Sequence, residues 1–404
     1  MTCCFDAEIA LVPTAFRDFD FAQFPPPKSL GIQKHNQSLK TQLNLLLCMP
    51  KYTTMKINIP LLKEICEIAG APGYEQRIRA LVIKEVTPLV DELKVNNMGN
   101  VYAIKKGKES KRVMIGAHMD EIGFIVTHID DNGFVRFHTL GGFDPKTLTA
   151  QRVIIHGKED VMGVMGAKPI HVMSPEERNK PAKTKEYFID LGMKKEEVEK
   201  LVEVGNSITR YSELMEMGDC VNCKSIDNRV SVYILIETLR LLKDKDVPYD
   251  IYGVFTVQEE VGLRGANVSA LDIQPDFGFG LDTTIAYDLP GAAAHEKITS
   301  LGEGTAIKIM DSQTICDYRM VAYMKKIAND NNIKWQPEIL PAGGTDTAGI
   351  QRMNGGGAIA GAVSIPTRHL HQTIEMAHKE DITASINLLE KCLLNLGQYD
   401  WSFK

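Results

Sequence analysis

Acidic and histidine side chains close several apolar stretches of this 404-residue sequence. His118 and Asp120 close the stretch "IGAHMD". Glu259 and Glu260 close "IYGVFTVQEE", and Asp282 closes "FGFGLD". Because binding sites in open α/β sheets form at the ends of strands, we expect these side chains to lie close together.

Two further residues fit the same pattern. Asp227 lies in "KSIDNRV", just before an apolar helical pattern, and His371 lies in "SIPTRHLHQ", after an apolar stretch. Carboxylates buried together are costly unless a cation neutralises them, and a mixed carboxylate and imidazole set suits Zn²⁺, Co²⁺ or Mn²⁺. Taken singly, Asp227 is most often a helix cap and His118 a structural histidine, so only the joint pattern predicts a metal centre.

The elements that must position these residues alternate between strands and helices from residue 55 onward. The spacing predicts helices over "MKINIPLLKEICEIAG", "YEQRIRALVIKEV", "VSVYILIETLRLL" and "ITASINLLEKCLLNL". It predicts strands over "DIYGVFTV" and "FGFGLDTT", and a long strand region over "RVMIGAHMDEIGFIVTHI". This alternation indicates an α/β sheet covered by helices.

The middle of the chain has a different character. Residues 126–220 contain short strand patterns and turns followed by a charged stretch, which predicts an inserted, small β-rich domain. Residues 55–125 and 221–404 then form the catalytic domain. Residues 1–54 lack periodicity and contain a Pro triplet, so we expect either a disordered N-terminal extension or a true start at Met55.

Composition excludes some classes of function. The chain is 44% apolar and 24% charged, as in an ordinary soluble enzyme, and its net charge of −6 predicts no general attraction to nucleic acid or to anionic membranes. No apolar stretch approaches the roughly 20 residues of a membrane helix. The eight cysteines are scattered, which favours free thiols in a reducing cytoplasm over a disulfide framework.

Five motifs together point to a known family. The stretches "GAHMDEIGF", "VQEEVGLRGA", "GLD", "GGTD" and "IPTR-x-x-H" occur in an order and spacing that resemble the M42 metallo-aminopeptidases, the group of glutamyl and tetrahedral aminopeptidases. The resemblance covers residues 55–404. It implies a zinc-exopeptidase-like fold with a mixed sheet flanked by helices, and an inserted domain that mediates dimerisation, with dimers that often build a dodecamer.

The resemblance also implies a role for each candidate ligand. The site would bind two divalent metal ions per subunit, with zinc or cobalt favoured. His118 and Asp282 would bind one ion, and Glu260 and His371 would bind the other. Asp227 would bridge the two ions with one carboxylate oxygen to each.

The remaining roles follow from the same resemblance. Asp120 would support the centre by holding the His118 ring or by shaping the loop. A water bridging the metals would be the nucleophile and Glu259 the general base for removal of N-terminal residues from peptides. The "GGTD" loop includes Gly344, Thr345 and Asp346. It would border the substrate, and the alternative is a purely structural role.

Two positions depart from the family pattern. Asn228 stands where many members carry Asp, and His369 stands where an aromatic residue is usual, so His369 is a rival for His371. Spacing from Arg368 favours His371. Alternative functions are a dinuclear hydrolase of another amide, such as an N-acyl amino acid, a carbohydrate-active enzyme of the endoglucanase type, and a scaffold without activity.

Overall fold

The computed structural model describes residues 56–181 and 183–403, so the expectation for residues 1–54 lies outside the described residues. The strands are, in chain order, Glu92–Val95 (β1), Val101–Lys105 (β2), Glu109–His118 (β3), Gly123–Ile129 (β4), Val135–Leu140 (β5), Arg152–His156 (β6), Asp160–Gly166 (β7), Phe188–Asp190 (β8), Ser207–Arg210 (β9), Met215–Met217 (β10), Cys220–Cys223 (β11), Tyr249–Thr256 (β12), Phe277–Ile285 (β13), Thr305–Met310 (β14), Trp335–Ile339 (β15), Ile359–Arg368 (β16) and Glu375–His378 (β17).

The α-helices of the same described ranges are Ile59–Glu67 (α1), Gln76–Val86 (α2), Pro175–Arg178 (α3), Lys195–Leu201 (α4), Ile226–Leu242 (α5), Arg264–Ile273 (α6), Tyr318–Asp330 (α7), Thr347–Arg352 (α8) and Lys379–Asn395 (α9). None of these helices is both long enough and apolar enough to cross a membrane.

One large mixed sheet carries the candidate site. Its strand order is β1-β2-β12-β3-β13-β16-β17-β11-β10, and β14 pairs with both β15 and β16. The four central strands, β12, β3, β13 and β16, run parallel. Thr256 at the end of β12 is paired with His118 at the end of β3, so the carboxyl ends of these strands meet at one edge of the sheet.

Helices cover both faces of this sheet. Alternate residues of β3 point to opposite faces: Val113 and Ile115 belong to the core that contains α5, whereas Met114 packs in a second core. That second core contains Ala270 of α6 and Ile350 of α8. The predicted class, a mixed sheet flanked by helices, is confirmed.

Strands β4 to β9 form a separate closed barrel in the order β4-β5-β8-β7-β6-β9. The barrel has its own core, which includes Phe124, Ile155, Ile189 and Ile208. The apolar region expected to form one long strand divides into β3 and β4, which belong to different sheets. The role of this inserted region in dimerisation stays a prediction.

Candidate metal centre

The ends of two neighbouring strands and the start of one helix bring the first three candidate ligands together. His118 is the last residue of β3, and Asp282 lies in β13 beside it. Asp227 is the second residue of α5, where the backbone departs from helical dihedral angles and the Asp227–Asn228 peptide bond is cis. All three of these candidate ligands are buried.

Two loops supply the other candidates. Gln258, just after β12, has a positive φ of 55°, so the chain leaves the strand direction before Glu259 and Glu260. His371 follows β16 and also has a positive φ, of 61°. These loops lie at the same edge of the sheet as the ends of β3 and β13, because Glu259, Glu260 and His371 line one cavity with His118, Asp227 and Asp282.

Asp227 lies between the two histidines. Its Oδ1 is 3.4 Å from Nε2 of His118, and its Oδ2 is 3.4 Å from Nε2 of His371. Two donors that bind one tetrahedral zinc ion at 2.0–2.1 Å lie about 3.3 Å apart. Each oxygen of Asp227 is therefore placed to share a cation with a different imidazole.

The remaining carboxylates divide between the same two histidines. Oδ1 of Asp282 is 3.7 Å from Nε2 of His118, and Oε2 of Glu260 is 3.6 Å from Nε2 of His371. Glu260 also has a donor atom within 4.8 Å of donors of both His118 and Asp227. Oε2 of Glu259 is 3.8 Å from Nε2 of His118.

Burial dominates the titration of these acids. Burial raises the pKa of Glu259 well above its usual range, and the nearby charges of Asp282 and Glu260 raise it further. Burial raises the pKa of Glu260 to about 8, with the charge of Asp227 adding to the effect. The pKa of Asp282 is also raised by burial. Three carboxyls therefore resist ionisation together unless positive charge joins them.

The charged forms of the two histidines and of Asp227 are favoured, because the pKa of each histidine is raised and that of Asp227 is lowered. Burial alone would lower the pKa of His371, but Glu260 and Asp227 raise it to about 10. The pKa of His118 is likewise raised well above its usual range against the effect of burial, chiefly by Glu259. Burial would raise the pKa of Asp227, but hydrogen bonds to His118 and His371 lower it. Positive charge is thus favoured on both sides of Asp227.

This donor set fits divalent cations. Imidazole nitrogens and carboxylate oxygens together are the ligands of zinc and cobalt sites in proteins. Nδ1 of His118 lies 3.1 Å from the backbone oxygen of Asp120, which leaves Nε2 facing the carboxylates. A backbone acceptor at the far ring nitrogen is the usual support of a metal-binding histidine.

The carboxylate of Asp120 holds the two adjacent glutamates. Its Oδ1 accepts a hydrogen bond from the backbone N–H of Glu259 and its Oδ2 from that of Glu260, each at 3.1 Å. Asp120 is fully buried. The sequence offered two supporting roles for this residue, and the structure places it where it contacts both the His118 ring and the glutamate loop.

Two supporting acids were missed at the sequence level. Glu375 accepts hydrogen bonds from the backbone N–H groups of Asp227, at 2.9 Å, and His371, at 2.8 Å. Glu75 accepts one from the N–H of Gln258 at 3.2 Å, and burial raises the pKa of Glu75 to about 7. Neither glutamate ends an apolar stretch or belongs to a motif, so the sequence carried no signal for them.

The rival histidines are placed differently. His371 lines the cavity and its Nε2 lies near both Asp227 and Glu260. His369 is half-buried and is not one of the described residues that line the cavity. The structure therefore brings His371, but not His369, to the candidate ligands.

A cavity of about 900 Å³ opens over the candidate ligands. Gly344 and Thr345 of the "GGTD" loop line it, and their contact with substrate stays a prediction. Asp346 is buried instead, with an exposed fraction of 2%, and accepts a hydrogen bond from the Thr256 hydroxyl. Burial raises the pKa of Asp346 to about 7.

Comparison with known proteins gives a consistent result. Residues 99–388 match the model of the family described as M42 glutamyl aminopeptidase. A putative aminopeptidase of Acetivibrio thermocellus is 39% identical, over 82% of this chain and 97% of that protein.

Solved structures of aminopeptidases have the same fold. Aminopeptidase APDkam598 from the archaeon Desulfurococcus kamchatkensis is 36% identical, covers 83% of this chain and 94% of its own, and superposes with a TM-score of 0.80. The TET1 peptidase of Pyrococcus horikoshii, which can assemble into a tetrahedron or a large octahedral shell, is 32% identical with a TM-score of 0.75. That similarity covers 83% of this chain and 99% of the other.

Proposed function

The chain belongs to the family of M42 glutamyl aminopeptidases and is a hydrolase of that family. From this premise we propose that it binds two divalent metal ions per chain and uses them to remove N-terminal residues from peptides. Zinc or cobalt suits the donor set. One ion would be held by His118 and Asp282 and the other by Glu260 and His371. Asp227 would be shared.

One observation carries the proposal: Asp227 presents a separate oxygen to each of two imidazoles, at 3.4 Å in both cases. A carboxylate that only capped α5 would direct its oxygens to backbone N–H groups of the first turn. The side-chain contacts of Asp227 are instead with histidines from two different strand ends. A bridging carboxylate explains this arrangement.

When bound, the two ions would polarise the peptide carbonyl and make a water molecule nucleophilic near neutral pH. Glu259 would act as the general base. Its carboxylate lines the cavity and lies 3.8 Å from Nε2 of His118, so it would face a water molecule at the centre. Glu259 would take a proton from the attacking water and pass it to the leaving amine.

The cavity floor favours a substrate with a free amine. Glu259, which binds neither ion in this proposal, lines the cavity and would attract the ammonium group of a free N-terminus. A free N-terminus would be positioned there with the first peptide bond over the centre. Positioning by the terminal amine makes the enzyme an exopeptidase.

We also propose that the inserted domain of residues 126–220 mediates self-association, as dimers or as a larger cage. Apolar side chains on the barrel are exposed, among them Met162 at 45% and Val164 at 48%. Burial of such side chains stabilises subunit interfaces. Light scattering on the full chain tests this part, since a monomer at working concentration would contradict it.

The decisive test of the activity is hydrolysis of a panel of aminoacyl-anilides by the purified, metal-loaded protein. We expect release of the anilide from substrates with a free amine, loss of activity with a chelator, and recovery when zinc or cobalt is restored. N-acylated versions of the same substrates serve as the control and should not react. Equal hydrolysis of the N-acylated substrates, or activity that survives chelation, would contradict the proposal.

A further inference from the structure

Glu375 lies beneath the candidate metal centre and has no assigned role in the chemistry. It is the first residue of β17, and its side chain is fully buried. Its Oε2 accepts from the backbone N–H of Asp227 at 2.9 Å, and its Oε1 accepts from the backbone N–H of His371 at 2.8 Å. One side chain therefore fixes the backbones of two candidate ligands that are 144 positions apart in the sequence, as 371 − 227 gives.

Both carboxyl oxygens of Glu375 serve as acceptors in these two contacts. Each backbone N–H needs an acceptor, and a carboxylate offers one oxygen to each. A glutamine has a single acceptor oxygen, and its amide group would face the second N–H donor with another donor. The identity of Glu375 is thus required by the geometry.

A residue of the barrel supplies positive charge to this buried acid. Nη2 of Arg210 lies 3.8 Å from Oε1 of Glu375, and Arg210 is 3% exposed. The same Nη2 donates to the backbone oxygen of Lys224 at 2.6 Å, and the guanidinium lies 5.7 Å from the ring centroid of Phe143. Arg210 is the last residue of β9, so the barrel is linked by charge to the support of the centre.

We propose that Glu375 is a positioning residue that holds the backbones of Asp227 and His371 for metal binding, and that Arg210 of the barrel stabilises its charge. The inference rests on the proposed two-metal centre. Its consequence is that the ion held by His371 and Glu260 depends on Glu375 more than the ion held by His118 and Asp282. The affinity of the site formed by His371 and Glu260 for its ion therefore depends on how the barrel packs against the large sheet.

The test is a zinc titration of the metal-free full-length chain in competition with a chromophoric chelator. For Glu375→Gln we expect one of the two binding events to weaken by about 10–100-fold, the size typical of lost support behind a metal ligand. Glu390→Gln is the matched control, since Glu390 is also a buried acid but lies on α9 and pairs with Lys245. This control should titrate like the wild type.

Arg210→Gln is the second variant and keeps the inference testable if Glu375→Gln does not fold. It should weaken the same binding event by a smaller factor, and the double variant should be no weaker than Glu375→Gln alone, because the two residues act as a unit. Arg319→Gln, which removes a guanidinium bound to Asp317, is its control.

The outcomes separate this inference from the proposed function. Two zinc ions bound by the wild type and by Glu375→Gln with equal affinity would overturn the positioning role and leave the two-metal function standing. Additive losses in the double variant would overturn the link to the barrel. A wild type that binds fewer than two ions would overturn both the inference and the proposed function.

Discussion

Glu259 and Glu260 are neighbours in the chain, yet both face the same cavity. Neighbouring residues of a strand point to opposite faces, so this arrangement requires that the strand has already ended. The strand ends at Thr256, the positive φ of Gln258 turns the chain, and the carboxylate of Asp120 accepts from both glutamate N–H groups. Glu260 is directed towards His371 and Glu259 towards His118.

Because Glu260 would bind metal and Glu259 would act as the general base, the effect of Glu259→Gln can be predicted. The variant should keep its metal content and its melting temperature, because Glu260 and Asp227 remain. Its kcat should fall by about 10²–10⁴-fold, the usual contribution of a general base. Steady-state kinetics together with metal analysis measure this, and near-wild-type turnover would remove Glu259 from the mechanism.

The two nearby histidines can be distinguished by paired substitutions. His371→Ala should bind fewer metal ions per chain and lose activity. The substitution removes the imidazole whose Nε2 lies near Glu260 and near Oδ2 of Asp227. His369→Ala is the matched variant and should retain both metal content and activity. Metal loss in His369→Ala with retention in His371→Ala would reverse the assignment.

The sequence identified side chains at the site because strand ends mark them. His118, Asp282 and the Glu259–Glu260 pair each follow an apolar stretch, and the structure brings them together with Asp227. Glu375 could not be found in this way, since its contact with Asp227 crosses 148 positions and depends on how β17 joins the sheet. Arg210 belongs to no motif in the sequence, and its contact with Glu375 crosses from the barrel to β17.

At the level of elements, the loop that follows β5, residues 141–144, connects the barrel to the cavity. Gly141 in this loop has a φ of 101°, and a Cβ there would lie 2.5 Å from Cγ2 of Ile122 and 3.4 Å from Cβ of Glu260. Gly142 lines the cavity beside His371. The loop therefore forms part of the wall around the candidate centre.

Substitution of Gly141 tests the importance of this wall. Gly141→Ala should lower kcat/KM by about 10–100-fold, because the added methyl group would lie 2.5 Å from Ile122 and force a shift in the wall beside Glu260. Gly192→Ala is the control: Gly192 also has a positive φ, but nothing lies within 4 Å of its added Cβ. Equal activity of both variants would show that the loop does not position the site.

The sequence predicted the alternation of elements but not every boundary. Two apolar runs, residues 113–117 and 122–126, lie close together in the sequence, which favours one long strand. The chain instead leaves the large sheet after His118 and enters the barrel at Gly123, and the four residues between, which include Asp120, are all buried. Because the turn is as buried as the strands around it, hydrophobicity could not reveal it.

At the scale of the whole molecule, the free energy of unfolding of the metal-free chain should depend on pH, because buried acids and histidines of the centre have shifted pKa values. The folded chain holds protons on Glu260 to about pH 8 and on Asp346 to about pH 7, whereas an unfolded carboxyl loses its proton near pH 4. His371 holds its proton to about pH 10 when folded, against an ordinary value of 6.5. All three groups bind more protons in the folded state.

The free energy of unfolding of the metal-free chain should therefore fall as the pH rises from about 5 to 9. Asp227 acts in the opposite sense, but only at pH values below its ordinary pKa of 3.8. Bound metal ions replace these protons, so the metal-loaded chain should lose much less stability over the same range. Thermal melts at several pH values, with and without zinc, measure the difference; a metal-free chain that becomes more stable with rising pH would contradict the account.

The central claim is that Asp227 joins two metal ions, and anomalous diffraction from zinc-loaded crystals at the zinc absorption edge tests it most directly. The account predicts two peaks about 3.5–4 Å apart, one beside His118 and Asp282 and one beside Glu260 and His371, with an oxygen of Asp227 on each. A single peak, or two peaks with Asp227 bound to neither, would contradict it.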